Sequence, residues 1–443
     1  MNIFRGILDF TRLNRNLYHM SESDIAKSQL KRLKHIVEYS RKHSPFYSAL
    51  YKSLKIDNMD DFRALPVINK RIMMNNFDSL NTCGLKLSEL TEYAVKKETD
   101  RDFLGYFKKK FVVGLSSGTS GSKGIYVTPK SLTSRLPFVF LARSGIPLKL
   151  LPFRILFMLR VFGQGFEDIN SPFIKLKYLS TMTPPDEIVQ RITEDGINVL
   201  MAPPSLLRTL LPQSEKINGR LKMIVSYAEV LCDEDKRNFT ESFGAEVIQI
   251  YQASEGQIGS TCRCGNLHIN EDLVFVEFYD EYWMPAESAA RKMIVTNLVN
   301  KVQPLIRYEM NDLAVLGPKC PCGSKFRVLE SILGRNDDVF MIKGNDGSTR
   351  PVFSDLLSRW IITAADGIRE FKVIQSGEDA LDIIIDAYPD SVDKTAVSVA
   401  IADRMRKEFT GLSFKIPAIR ILFEKITLPD DMSKYKRFVK LSF

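Results

Sequence analysis

The chain has 443 residues, 44% hydrophobic and 26% charged, the balance of an ordinary soluble globular protein long enough for two or three domains. No uncharged apolar run approaches a membrane span, and an N-terminus interrupted by Asp9 and Arg12 does not read as a signal peptide, so a cytoplasmic protein is expected. Lysine and arginine outnumber aspartate and glutamate by 62 to 53, and the net charge of +9 suits a polyanionic partner, from a nucleotide to a nucleic acid or an anionic membrane face.

Residues 1 to about 80 carry helical periodicity. Ile3, Phe4, Ile7 and Leu8, with Arg5 and Arg12, make a basic amphipathic stretch that either packs on its own domain or lies on a membrane surface; packing is the favoured reading. Leu30, Leu33, Ile36 and Val37 continue the pattern to a Ser-Pro break at Pro45. From Phe111 the pattern becomes short apolar runs alternating with helices. Ile155 to Phe162 reads as core, and Gly196–Leu200, Met223–Ser226, Glu246–Ile250 and Lys292–Thr296 read as strands of a parallel α/β layer. The best domain boundary is Gly334 to Asp338. Beyond it, strands at Val339–Ile342, Phe371–Ile374, Leu381–Ile385 and Ala418–Phe423, with a helix near Lys394–Phe409, predict an α+β unit of about a hundred residues. The expected fold class is α/β, with a large domain over 1–333, its helical segment at 1–80, and a small domain over 334–443.

Directly after Phe111-Val112-Val113 stands Ser116-Ser117-Gly118-Thr119-Ser120-Gly121-Ser122-Lys123-Gly124. Glycines let backbone N–H groups approach an anion, hydroxyls add donors and the lysine adds a point charge, so a strand running into this loop reads as a phosphate cradle. It is not a Walker A loop, because Lys123 stands where that motif needs glycine and Gly124 where it needs lysine. Taken alone, a flexible turn explains it equally well.

Six cysteines, four of them in two close pairs, do not form an extracellular disulfide framework. Cys83 and Cys232 stand alone and read as buried thiols. Cys262-Arg263-Cys264, His268 and Cys320-Pro321-Cys322 offer more than the four thiolate and imidazole ligands of a structural zinc, and free buried thiols are the alternative.

Further segments follow in order: Tyr251-Gln252-Ala253-Ser254-Glu255-Gly256, Ile306-Arg307-Tyr308-Glu309-Met310-Asn311-Asp312, Gly334-Arg335-Asn336-Asp337-Asp338 and Ser433-Lys434-Tyr435-Lys436-Arg437. With the Ser116 loop they resemble the adenylate-forming (ANL) superfamily of acyl-CoA synthetases and peptide-synthetase adenylation domains. The nearer resemblance is to the phenylacetate–CoA ligase-like branch, with its capsule-cluster and deazaflavin-coenzyme-adenylylating relatives. His43-Ser44-Pro45-Phe46-Tyr47, Leu65-Pro66-Val67 and Leu267-His268-Ile269-Asn270-Glu271-Asp272 narrow it to that branch. Nearly the whole chain is covered.

That resemblance implies attack of a carboxylate on the α-phosphate of ATP, giving acyl-AMP and pyrophosphate, with catalysis mainly by charge neutralisation and alignment. Ser117, Gly118, Thr119, Ser120, Gly121 and Lys123 would hold the β- and γ-phosphates, and Glu255 would hold Mg²⁺. Tyr251 would stack on adenine, Ser254 would meet the α-phosphate, and Ala228 and Glu229 would form the adenine-side loop. Asp312 would accept from the ribose hydroxyls, with Arg335 beside ribose and phosphates. Lys434, on a mobile C-terminal lid, would meet the carboxylate and bridging oxygen; Asp337 would be the hinge, and Gly344 would let a pantetheine arm pass, unless it is simply a positive-φ loop glycine. The branch keeps a cysteine six residues before the histidine, which selects Cys262 with His268, Cys320 and Cys322 for zinc and leaves Cys264 a spare or substitute.

The implied activity is an ATP- and Mg²⁺-dependent acid–thiol ligase with a structural Zn²⁺, a small-molecule carboxylic acid as substrate and CoA as first-choice acceptor. A carrier protein, an amine or a coenzyme hydroxyl taking AMP itself are alternatives, and a homodimer is left open. Two departures stand out: Glu309 where relatives carry arginine, and Ser433 where they carry glycine. They keep a catalytically silent ATP-binding scaffold in view. From another class, a zinc-containing nucleic-acid-binding protein would explain the charge and cysteines but not Glu255, Asp312 and Lys434 in order. No nucleic-acid partner and no integral membrane span are expected, and the acyl pocket, around Pro203-Pro204-Ser205 and Ser226 to Glu229, is not legible.

Overall fold

A computed structural model of the chain describes residues 3–52, 54–100, 105–116, 124–143, 150–159, 170, 173–181, 183–279, 291–335, 338–365, 367–388, 393–426 and 436–441. The strands are β1 (Phe111–Ser116), β2 (Gly124–Pro129), β3 (Phe153–Leu159), β4 (Ile174–Ser180), β5 (Val199–Ala202), β6 (Met223–Ser226), β7 (Glu246–Ala253), β8 (Gly256–Thr261), β9 (Leu267–Ile269), β10 (Val274–Tyr279), β11 (Arg291–Asn297), β12 (Tyr308–Leu316), β13 (Val328–Arg335), β14 (Phe340–Lys343), β15 (Thr349–Val352), β16 (Ile368–Gly377), β17 (Ala380–Ala387), β18 (Ala418–Phe423) and β19 (Phe438–Lys440). Among the described residues, eleven of these form one sheet in the order β10-β11-β12-β13-β9-β8-β7-β6-β5-β3-β4.

One half of that sheet, β4-β3-β5-β6-β7, is parallel. Helices Pro185–Glu194, Pro204–Leu210 and Asp233–Phe243 make its crossovers. Its inner strands are covered on both faces and carry apolar runs, with Ile155, Leu156, Leu200, Ile224 and Val225 all buried, whereas the end strand β4 alternates apolar residues with Lys175 and Lys177. The other half is antiparallel, beginning where β7 turns directly into β8. The run Lys292–Thr296, expected in the parallel layer, instead forms β11, with antiparallel partners β10 and β12 on its two sides. The link from β11 to β12, residues 298–307, contains no helix and cannot serve as a parallel crossover.

The N-terminal helices cover this sheet. Ser21 and Asp24 close a capping box at the start of Glu22–His43, and the last turn carries Arg41, Lys42 and His43, which suit its negative end. Ser44 ends that helix and caps the next, Pro45–Leu50, whose first residue is proline. Leu33, Ile36 and Val37 enter one core with Ile306, Tyr308 and Val295. The first helix, Ile3–His19, packs on its own domain, as favoured. It buries Leu13 and Leu17, and Asp9 accepts from Arg135 at 2.6 and 2.8 Å. Buried Arg143 donates to the Leu13 carbonyl at 2.6 Å and to both oxygens of Asp272. Ile7 and Leu8 remain exposed.

In the C-terminal region, β18-β17-β16-β19 form a second sheet. Phe371, Val373 and Ile383 of this sheet pack with Ile401, Met405 and Phe409 of helix Lys394–Gly411. Helix Ser354–Ile362, β15 and β19 add to the elements expected there. Two contacts join this region to the helix after β5 and the loop after β6: Tyr388 donates to the Arg208 carbonyl at 2.5 Å, and Arg437 lies 3.9 Å from Glu229. At the junction, Gly334 has φ +100°, and a Cβ there would lie 2.1 Å from the Ser354 hydroxyl, which donates to the Leu333 carbonyl.

Candidate active site and metal centre

The carboxyl ends of parallel strands are where an open α/β sheet leaves a crevice, because the chain turns away there in different directions. Here β5 ends into Pro203-Pro204-Ser205, β6 into Tyr227-Ala228-Glu229, and β7 into Ser254-Glu255. Glu229 accepts from the Ser205 amide at 3.0 Å and hydroxyl at 2.7 Å, so the loop after β6 is pinned to the start of helix Pro204–Leu210. Ala228, exposed between them, holds φ +65°, which a non-glycine residue rarely adopts. Tyr227 is buried, its ring 5.4 Å from Phe157 and its hydroxyl donating to the Met158 carbonyl.

Three segments far apart in sequence meet beside this loop. Tyr251 is buried and donates its hydroxyl to Asp312 at 2.6 Å. Asp312 and Arg335 are register partners on β12 and β13, with Arg335 Nε 4.0 Å from Asp312 Oδ1. Glu255, half-buried, accepts from the Tyr126 hydroxyl at 3.0 Å. Burial pushes its carboxyl above the ordinary glutamate range; Asp312 adds to this, while Tyr126 and Arg335 oppose it. Ser254 is exposed next to it. The structure thus gathers Tyr251, Glu255, Asp312 and Arg335, with Glu229 on the neighbouring loop. Ser117, Gly118, Thr119, Ser120, Gly121 and Lys123 lie outside the described residues, as do Asp337 and Lys434.

Sequence reasoning missed two contributors. Lys70 opens the helix Lys70–Asn75, and burial, then the charge of Arg335, push its ammonium below the usual range while Glu255 pulls it up. It belongs to the same electrostatic neighbourhood as Glu255, but an Asn-Lys-Arg triplet in a helical segment carries no signal of that. Tyr126, on the strand leaving the glycine-rich loop, is the other. The departure at Glu309 faces solvent, whereas neighbouring Arg307 is buried and holds Glu277 through two 3.0 Å bonds and Tyr279 at 2.6 Å. Arg307 also donates to the carbonyls of Arg63 and Leu65, tying the helical segment to β10 and β12. Gly344 is not a positive-φ glycine; that role in its turn falls to Gly347, at φ +81°. Gly344 is buried, and a Cβ on it would come within 2.5 Å of Asp346 and 2.7 Å of Arg350.

Cys262, His268, Cys320 and Cys322 converge, their four ligand atoms lying within 4.8 Å of one another and all four residues buried. Cys262 Sγ is 3.6 Å from Cys320 Sγ, and Cys322 Sγ is 3.5 Å from His268 Nε2. His268 Nδ1 lies 2.9 Å from the Phe326 carbonyl; donation there fixes the tautomer that leaves Nε2 as a ligand. Amide and side-chain N–H groups point at sulfur: Asn266 at Cys320, Cys264 at Cys262 and Ser324 at Cys322. The donor set fits a tetrahedral zinc, while Cys264 contributes its backbone and keeps its thiol exposed.

No protein-family model matches the chain. Over 198 residues it is 26% identical to a phenylacetate–coenzyme A ligase of Thermus thermophilus, a stretch covering 42% of this chain and 43% of that ligase. The match therefore spans less than half the relative's length. Among solved structures, 2-hydroxyisobutyryl-CoA ligase in its postadenylation state with 2-HIB-AMP aligns with a TM-score of 0.73 at 17% identity, over 96% of this chain and 91% of that one. The same ligase in its thioesterification state, with 2-HIB-AMP and CoA, gives 0.58 at 19% identity over the same shares. An anthranilate CoA ligase in complex with anthranoyl-AMP gives 0.54 at 15% identity, over 73% of this chain and 65% of that one. At these identities the likeness is one of fold.

Proposed function

We propose that this chain, which has the α/β fold of the adenylate-forming CoA ligases and resembles their phenylacetate–CoA ligase-like branch, is an AMP-forming acid–thiol ligase. In this reading a carboxylate attacks the α-phosphate of ATP, pyrophosphate leaves, and the acyl group passes to CoA. The observation carrying it is the meeting of Tyr251, Glu255, Asp312 and Arg335 at the carboxyl end of β7. Asp312 would accept from a ribose diol, and Arg335 and Lys70 would supply positive charge for phosphates. Glu255 is the carboxylate for Mg²⁺, which would neutralise phosphate charge during attack. The Ser117 to Lys123 loop, entered from β1 and left through β2, would hold the outer phosphates, and Ser254 would meet the α-phosphate.

Lys434 would meet the incoming carboxylate from a lid comprising 334–443, turning about Asp337 against the domain 1–333, and Gly344 would face the acceptor after that turn. The Cys262–His268–Cys320–Cys322 cluster supports a structural zinc, a buried staple across the antiparallel half of the sheet; the meeting of Glu255, Asp312 and Arg335, not the zinc, favours the ligase over a nucleic-acid-binding protein. Among the described residues no helix is long and apolar enough to cross a membrane.

The test is carboxylate-dependent pyrophosphate release with hydroxylamine as trap, run over aryl, fatty and amino-acid panels. At least one acid class should give pyrophosphate and hydroxamate in equal amounts. Hydroxamate without CoA-thioester formation would move the acceptor to a carrier protein, an amine or a hydroxyl. No acid-dependent release from any panel would overturn the reading.

A further inference from the structure

Glu255 is held at both ends by side chains that the sequence motifs do not include. Its backbone carbonyl accepts from Asn297 Nδ2 at 2.8 Å, and its Oε1 accepts from the Tyr126 hydroxyl at 3.0 Å. The Tyr126 hydroxyl lies 2.9 Å from that of Tyr308. An ionised carboxylate can only accept, so Tyr126 donates to Glu255 and takes its own hydrogen bond from Tyr308. The result is a one-directional chain, Tyr308 to Tyr126 to Glu255, and both tyrosines are buried.

Tyr126 stands two residues past Gly124, where β2 leaves the glycine-rich loop. That stretch of β2 is itself clamped: the Val127 amide donates to Gln303 Oε1 at 2.7 Å, and Gln303 Nε2 donates to the Ile125 carbonyl at 3.0 Å. The loop's exit, Glu255 and the start of β12 are thus joined through two hydroxyls with little freedom to shift independently.

Resting on the ligase reading, we propose that Tyr126 is a positioning residue for Glu255: its hydroxyl fixes the orientation of the carboxylate that takes the divalent cation and ties it to the strand leaving the phosphate loop. Tyr308 orients that hydroxyl and acts one step further out. The hydrogen-bonded chain makes nucleotide binding cation-dependent, because the cation carboxylate is oriented and tied to β2 before ATP arrives.

The test is Tyr126→Phe, which keeps the ring and removes the donor. Binding of a non-hydrolysable ATP analogue to the full chain is measured by calorimetry with saturating Mg²⁺, across a Mg²⁺ titration and in EDTA, together with the thermal midpoint. The Mg²⁺ concentration for half-maximal binding should rise about tenfold, as for loss of one charge-assisted hydrogen bond. Binding in EDTA and the thermal midpoint should stay near wild type, and Tyr308→Phe should give a smaller shift in the same direction. Unchanged Mg²⁺ dependence in Tyr126→Phe overturns the assignment. So does an equal loss with and without Mg²⁺ accompanied by a lower midpoint, which makes Tyr126 a packing residue. A wild-type protein with no Mg²⁺-dependent binding overturns the ligase reading itself, and its result is read separately from the variant's.

Discussion

Asp312 has one oxygen on the Tyr251 hydroxyl and the other facing Arg335, so its carboxylate is oriented before any ligand arrives. Asp312→Asn keeps the shape but weakens acceptance from a diol. It should reduce nucleotide affinity about tenfold by calorimetry and move the thermal midpoint little. The cysteines give a sharper contrast. Cys322→Ser should cost the chain its zinc, measured by metal analysis, and lower its thermal midpoint by several degrees, whereas Cys264→Ser should do neither. A metal-free wild type of equal stability would contradict that. At this scale the sequence singles out Glu255, Asp312, Arg335 and the Cys262 to Cys322 cluster by residue type and order, and the structure brings the members of each group together. The sequence was not readable at Tyr126 or Lys70. A tyrosine in an apolar strand and a lysine in a helix are common, and only the fold brings them to Glu255.

Between elements, the buried ion pairs decide more than the helices' own propensities. Arg307, at φ +46°, spans β10, β12 and the segment around Leu65. Replacing it by alanine leaves the half-buried Glu277 without its cation and two carbonyls without a donor. This should cost about 3–5 kcal/mol in denaturant unfolding. In the C-terminal region, Arg437 donates to both oxygens of Glu370 at 2.9 and 2.8 Å. Burial raises the Glu370 carboxyl, but Arg437 outweighs it and holds the group below the usual glutamate range. A depressed carboxylate contributes stability that is complete above its unfolded pKa and lost as pH falls through its folded value. Wild-type stability should therefore decline through the acid range more steeply than that of Glu370→Gln; parallel declines would remove Glu370 from the account. Element placement followed from apolar runs where both faces are buried, as in β5 and β6. It failed for β11, because a buried antiparallel strand carries the same continuous run and pairing direction is set by the connection, which composition does not display.

For the whole molecule, the sequence suggests a boundary at Gly334 to Asp338; in the structure β13, in chain order the last strand of the large sheet, ends at Arg335, and the two-stranded β14–β15 sheet follows. What it left open was the antiparallel half, the short strand β19 and the helix Ser354–Ile362. These are short elements whose pairing depends on partners distant in sequence. In the ligase reading, Lys434 and Gly344 serve different steps. Lys434→Ala should therefore lower adenylation by about 10²–10⁴ while still discharging supplied acyl-AMP to CoA at near the wild-type rate. Equal loss of both half-reactions would mean that one fixed arrangement serves both.

The most direct check on the central claim is the fate of ATP labelled at the α-phosphate, followed with and without the best carboxylic acid from the panels. The account predicts acid-dependent appearance of label in AMP, passing through an acyl-AMP that hydroxylamine intercepts. Label recovered in ADP, or in AMP at a rate indifferent to the acid, would contradict it.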